Sequence, residues 1–87
     1  MQFLTNKSFE RDLKKSPVSV FSDVLLAYNQ VAEASAVKNI PNLKKLSGYK
    51  NAYRIRIGEY RIGLYLEGDV LVFARILPRK EIYRFFP

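Results

Sequence analysis

Two turn-forming residues, Gly58 and Glu59, separate two segments that alternate with a period of two. This leaves the run from Asn51 to Tyr65 little choice but to fold as a β-hairpin. Before the turn, Ala52, Arg54 and Arg56 alternate with Tyr53, Ile55 and Ile57. After it, Tyr60, Ile62, Leu64 and Leu66 alternate with Arg61, Gly63 and Tyr65. Glycine at the first central position suits a two-residue type II′ turn, whose first residue needs a positive φ. Such a turn pairs Ile57 with Tyr60, sets Arg56 opposite Arg61, and sets Arg54 opposite Gly63.

Like charges directly across a strand pair cost stability. A sheet that needed only a hydrated surface would do better with opposite charges or scattered Thr and Lys. Three guanidiniums converging over a glycine describe instead a place where a phosphate could sit, because arginine offers planar, bidentate donors that match phosphate oxygens. The alternative is a solvated basic face satisfied by carboxylates elsewhere in the chain.

The distribution of charge bears on that choice. The net charge of the 87 residues is +7. Residues 1–37 hold four cations (Lys7, Arg11, Lys14, Lys15) and four anions (Glu10, Asp12, Asp23, Glu33), so the whole excess lies in residues 38–87. A neutral first half and a basic second half are the footprint of a polyanion binder. The chain has no cysteine and no histidine. That removes thiolate nucleophiles, disulfides, Ser-His-Asp arrangements and the commonest metal ligands, so neither a metal nor a cofactor is expected. Catalysis, if any, falls to Arg, Lys, Tyr, Glu or Asp. No apolar run has the length of a membrane span, and Met1-Gln-Phe-Leu-Thr5 leads at once into charged residues rather than a signal sequence. A cytoplasmic protein with no membrane partner is the expectation.

Along the chain, Gln2–Thr5 reads as a short strand. Thr5 or Asn6 can cap a helix to about Lys15, with Phe9 and Leu13 on its buried side. Ser16 as N-cap and Pro17 as first helical residue restart a helix expected to run to about Ala36. Its predicted core stripe is Phe21, Val24, Leu25, Tyr28, Val31 and Ala32. From Val37 to Lys50 the pattern fails, and Pro41 and Gly48 mark a connector carrying Leu43-Lys44-Lys45-Leu46. After the hairpin, Gly68-Asp69 is a second turn. Val70 to Leu77 is a strand apolar on both faces, as an interior strand is, with Arg75 its one charge. Pro78 ends it, and Arg79 to Tyr83 begin a short final helix or turn, on which Arg79 and Tyr83, four apart, would share a face. The predicted layout is β-α-α-β-β-β plus a short C-terminal helix. It forms a single α+β domain over residues 1–87, with two N-terminal helices on one face of a twisted, mainly antiparallel sheet.

At Lys44-Lys45-Leu46-Ser47-Gly48, Tyr53-Arg54-Ile55-Arg56, Gly58-Glu59-Tyr60-Arg61 and Arg79-Lys80-Glu81-Ile82-Tyr83 the sequence resembles the RelE/ParE superfamily of bacterial toxins. The likeness covers nearly the whole chain. It implies a small α+β toxin held inactive by a cognate acidic antitoxin. In the RelE branch the toxin enters the ribosomal A site and cleaves messenger RNA. In the ParE branch the same fold poisons DNA gyrase, and a third reading of the residues is a non-catalytic RNA-binding module whose arginines only grip phosphates. The RelE pattern matches here at Arg54 and Arg56 before the turn, Arg61 after it, Arg79 after the last strand and Tyr83 near the C-terminus. Lys44, Lys45, Arg75, Lys80 and Arg84 would be further RNA contacts. Two departures stand out: the pair before the turn is often lysine in the family, and Pro78 stands where some relatives carry histidine.

The resemblance implies metal-independent cleavage, in which a ribose 2′-hydroxyl attacks the adjacent phosphate. Arg61 and Arg79 would stabilise the charge that builds on phosphorus. Arg54 and Arg56 would hold the flanking backbone and donate a proton, and Tyr83 would activate the 2′-hydroxyl or stack on a base. Glu59, at the hairpin tip, is a second candidate base.

Overall fold

A computed structural model describes all 87 residues. In chain order the elements are β1 (Gln2–Thr5), α1 (Lys7–Lys14), α2 (Val18–Glu33), β2 (Leu43–Lys45), β3 (Ala52–Ile57), β4 (Tyr60–Glu67), β5 (Val70–Pro78) and α3 (Ile82–Phe85). The strands form one sheet in the order β1-β5-β4-β3-β2. It is antiparallel except for β1, which runs parallel to β5 at one edge.

The hairpin forms as its alternation predicts. Ile57 pairs with Tyr60, Arg56 with Arg61 and Arg54 with Gly63. Gly58 has φ +60° while Glu59 stays out of the left-handed region, which is the signature of a type II′ turn. β5 is interior, as its two apolar faces require. Between Gly63 and Leu64 the register with β5 slips by one, leaving Ala74 as an unpaired bulge residue.

Alternation divides the side chains between two faces. On one face Ile55, Ile62, Leu64, Leu71, Phe73 and Ile76 meet Phe9 of α1 and Val20, Val24, Ala27 and Val31 of α2 in the main core. The other face is covered at its centre by α3, where Ala52, Ala74, Ile82 and Phe86 make a small second cluster.

α1 opens at Asn6, whose side chain accepts the Phe9 N–H at 3.1 Å, a cap worth about 1 kcal/mol. β1 covers only the first part of β5. Beyond it α1 lies along the open edge, where Ser8 Oγ donates to the Ala74 carbonyl and Asp12 accepts the Ile76 N–H.

Four expectations change. The connector contains a fifth strand, β2, in which Leu43, Lys44 and Lys45 pair with Ile55, Arg54 and Tyr53. Three residues are too few for a period of two to stand out. α2 starts at Val18, with Pro17 rather than Ser16 in the capping position, and it ends at Glu33. Ser16 instead turns its hydroxyl back to the Asp12 carbonyl. The buried stripe of α2 is Val20, Val24, Ala27 and Val31 with Tyr28 half-buried, while Phe21, Leu25 and Ala32 face outward. Two apolar stripes share this helix, and the one with smaller side chains packs on the sheet. Finally, Arg79 lies in the turn before α3, so it and Tyr83 do not share a helical face.

Candidate active site

The hairpin turn and the end of β5 come together at one end of the α3-covered face. Tyr60 pairs with Pro78, and the Arg79 N–H donates to the Glu59 carbonyl at 2.8 Å, which fixes Arg79 beside the hairpin tip. The Arg56 N–H is spent in the other direction, on the Asn42 carbonyl of the segment leading into β2. Arg56 and Arg61 are therefore a non-hydrogen-bonded pair, the closer of the two antiparallel spacings, with Cα atoms about 4.5 Å apart.

Arg61 is the centre of the group. Its Nη1 donates to the Gly58 carbonyl at 2.8 Å and the Tyr60 carbonyl at 2.9 Å, which pins the guanidinium against the turn. Its other nitrogens make no hydrogen bond within the chain. Partial burial lowers its pKa below the usual arginine value. Arg54, Arg56 and Arg79 lower it further by repulsion, while Tyr83 acts in the opposite sense. Those influences fall off with distance, so Arg54, Arg56, Arg79 and Tyr83 each lie within electrostatic reach of Arg61.

None of Arg54, Arg56, Arg61 and Arg79 has a carboxylate partner, and the molecule contains a single ion pair despite fifteen cations and eight anions. Arg54 reaches only the Asn42 carbonyl, at 3.4 Å. Asn42 itself has φ +63°, a left-handed conformation that aims its carbonyl at both arginines. The face is thus not a basic surface balanced by acids elsewhere, the alternative left open by the sequence.

The remaining site candidates divide. Lys44 sits directly opposite Arg54 and extends the cationic row, whereas Lys45 is paired with Tyr53 and lies on the opposite face, the one packed by α1 and α2. Lys80 and Arg84 are exposed on the turn and helix that follow Arg79. Arg75 is set apart from the cluster. Its Nε and Nη2 donate to Asp12 Oδ2 and Oδ1 at 2.7 and 3.2 Å, and these hydrogen bonds raise its pKa. Tyr83 is 57% exposed on α3.

One feature differs from the sequence expectation. The space over Gly63 is filled by the ring of Phe86. A Cβ at Gly63 would lie 2.5 Å from Phe86 Cγ, so the glycine exists to admit an aromatic anchor rather than an anion. Asp12, Phe86 and the Asn42 carbonyl are the parts of this region that sequence reasoning missed. Only the Gly63 position carried a signal, a glycine inside a strand, which marks a close approach.

No family model matches the chain. It is 39% identical, over an alignment spanning all of both chains, to Toxin RelE3 of Methanocaldococcus jannaschii. The chain belongs to the RelE family of toxins. Its structure agrees. A chain of the RelB-RelE antitoxin-toxin complex from Methanococcus jannaschii superposes with a TM-score of 0.80 at 38% identity, covering 97% of this chain and 99% of that one. The archaeal RelE-RelB complex from Pyrococcus horikoshii has the same fold at 20% identity, with a TM-score of 0.70 over 90% of this chain and 93% of that one. Within the RelE family, this chain carries arginines at positions 54 and 56 and has Pro78 immediately before Arg79.

Proposed function

We propose that this RelE-family toxin is a metal-independent endoribonuclease that cuts messenger RNA on the ribosome, and that an acidic antitoxin of the RelB kind silences it. The observation that carries the reading is the set of four guanidiniums along the hairpin and the end of β5, three of them repelling Arg61 and none with an acid to neutralise it. Such a cluster is unfavourable in the free protein and becomes favourable when a polyanion enters it.

In the reaction, the ribose 2′-oxygen attacks the adjacent phosphorus, and the bond from phosphorus to the 5′-oxygen breaks. The products are a 2′,3′-cyclic phosphate and a 5′-hydroxyl. The 2′-hydroxyl proton leaves as the new bond forms, and the 5′-oxygen takes one up from Arg54 or Arg56, which water reprotonates. Arg61, already fixed by the turn carbonyls, and Arg79, fixed by its backbone bond to Glu59, face the charge that builds on the phosphorane. Arg54 and Arg56, with Lys44 beside them, hold the flanking backbone. Lys80 and Arg84 continue that grip on the far side, and Tyr83 receives the 2′-hydroxyl proton or stacks on a neighbouring base. Lys45 and Arg75 are left out of the site, because one faces the helices and the other is held by Asp12. Arginine is a poor general base, and the site relies on the RNA being presented in line, which a ribosome would do.

The test is to induce the protein in growing bacteria and map RNA 5′ ends on translated messages. Cuts spaced by codons, absent from untranslated RNA, are expected. Growth arrest without such cuts would overturn the reading, and lost plasmid supercoiling in their place would point to gyrase. The antitoxin component is tested by co-expressing a RelB-type acidic protein, which should restore growth.

A further inference from the structure

The helix that carries Tyr83 is one turn long, too short to hold its own orientation. Two of its contacts face the sheet: Ile82 is fully buried, and Phe86, just past its end, is wedged over Gly63. These fix its height but leave it free to roll. A third contact comes from the side. The Arg75 guanidinium lies over the ring of Phe85, its Cζ 5.5 Å from the ring centroid. Phe85 is two residues from Tyr83, so on a helix the two project to opposite flanks, Phe85 toward Arg75 and Tyr83 away from it, within electrostatic reach of Arg61. Arg75 in turn is held by both carboxylate oxygens of Asp12, whose Oδ2 also accepts the Ile76 N–H at the open edge of β5. Asp12 is thereby fixed by three donors, its side chain 9% exposed.

We infer that Asp12, Arg75 and Phe85 form a brace that sets the roll of α3, making Asp12 on the first helix a positioning residue for Tyr83. The inference rests on Tyr83 belonging to the site. It explains why the only ion pair in this strongly basic chain is spent at this place. An arginine freed from Asp12 would be drawn to bound RNA, and Phe85, 53% exposed, would lose its tie to the sheet, because the other cation over its ring, Arg84 with Cζ at 5.7 Å, belongs to α3 itself and cannot set its roll.

The test compares Asp12→Asn and Phe85→Leu with the wild-type chain in cleavage of ribosome-bound message, thermal melts being taken in parallel. Each variant should lower kcat about 10- to 100-fold, the cost of misplacing a group by about 1 Å, with KM within about twofold. Phe85→Tyr, which keeps the ring, should keep the rate. In a Tyr83→Ala background Asp12→Asn should be silent, since the brace acts only through that residue. An equal loss in both backgrounds, or a rise in KM with kcat intact, would overturn the inference, the second outcome meaning that Arg75 touches RNA directly. Phe85→Leu changes an exposed side chain and keeps the test open if Asp12→Asn fails to fold. If Tyr83→Ala cleaves at the wild-type rate, the assignment of Tyr83 to the site fails. The brace then stands or falls on 19F NMR of the 3-fluorotyrosine-labelled protein. There the residue-83 resonance, assigned through Tyr83→Phe, should move or broaden in Phe85→Leu, and an unchanged line would refute it.

Discussion

The two faces of one sheet are built from the same strands to opposite ends. β4 sends Ile62 and Leu64 into a dry core shared with two helices and sends Arg61 and Gly63 to the face beneath α3. On the first face the large side chains are buried and aromatic rings interlock, with Phe73 lying 5.2 to 5.4 Å from Phe3, Phe9 and Tyr28. On the second, two arginines sit directly opposite each other and no acid relieves them. The difference teaches that a strand can separate stability from function residue by residue. The apolar face supplies the free energy that lets the other face hold an unfavourable charge arrangement ready for a ligand.

The comparison breaks if the two faces respond alike to substitution. The largest effect is expected at Phe73→Ala. It should cost about 3–5 kcal/mol in denaturant unfolding, while the folded fraction keeps its cleavage rate per molecule. Arg61→Ala should do the reverse. A rate loss of about 100- to 1000-fold is expected in the ribosome-bound cleavage assay, with a melting temperature unchanged or raised because Arg56 loses a like-charged neighbour. A large fall in melting temperature for Arg61→Ala would mean that the cluster stabilises the fold instead. Gly63→Ala sharpens the boundary between the faces. Its new methyl collides with Phe86, and overpacking of this kind costs about 1–3 kcal/mol. Pairing it with Phe86→Leu should return part of the stability, which calorimetry would measure.

Much of the hairpin was legible because its information is local. The positions of Gly58 and of the alternating residues prescribe turn type, register and the opposition of Arg56 to Arg61 without reference to the rest of the chain. The interior placement of β5 was legible for a similar reason, since a run apolar on both faces has few other places to go. α2 was read one way and packs another. Phe21 and Leu25 are periodic but lie outward, because periodicity names candidate stripes and only the partner surface chooses between them. β2 was missed because a three-residue edge strand is defined by its pairing with β3 rather than by its own pattern.

In the candidate site the same division holds. The four arginines and Tyr83 could be named from the sequence, with the help of a resemblance spanning most of the chain. Their separation from Arg75 could not. Nothing in a one-dimensional string links Asp12 to a residue sixty-three positions away, and the +7 charge count treats both as free.

The sequence by itself determined which strands alternate, where the chain turns, and that the basic excess lies in its second half, because each of these follows from neighbours along the backbone. Tertiary structure alone decided which cation is neutralised, which stripe of α2 is buried, and that a phenylalanine from the C-terminus closes over Gly63. The physical reason is range. Backbone sterics and hydrophobic alternation act within a few residues, whereas ion pairing and packing act through space and take their meaning from whatever the fold brings near.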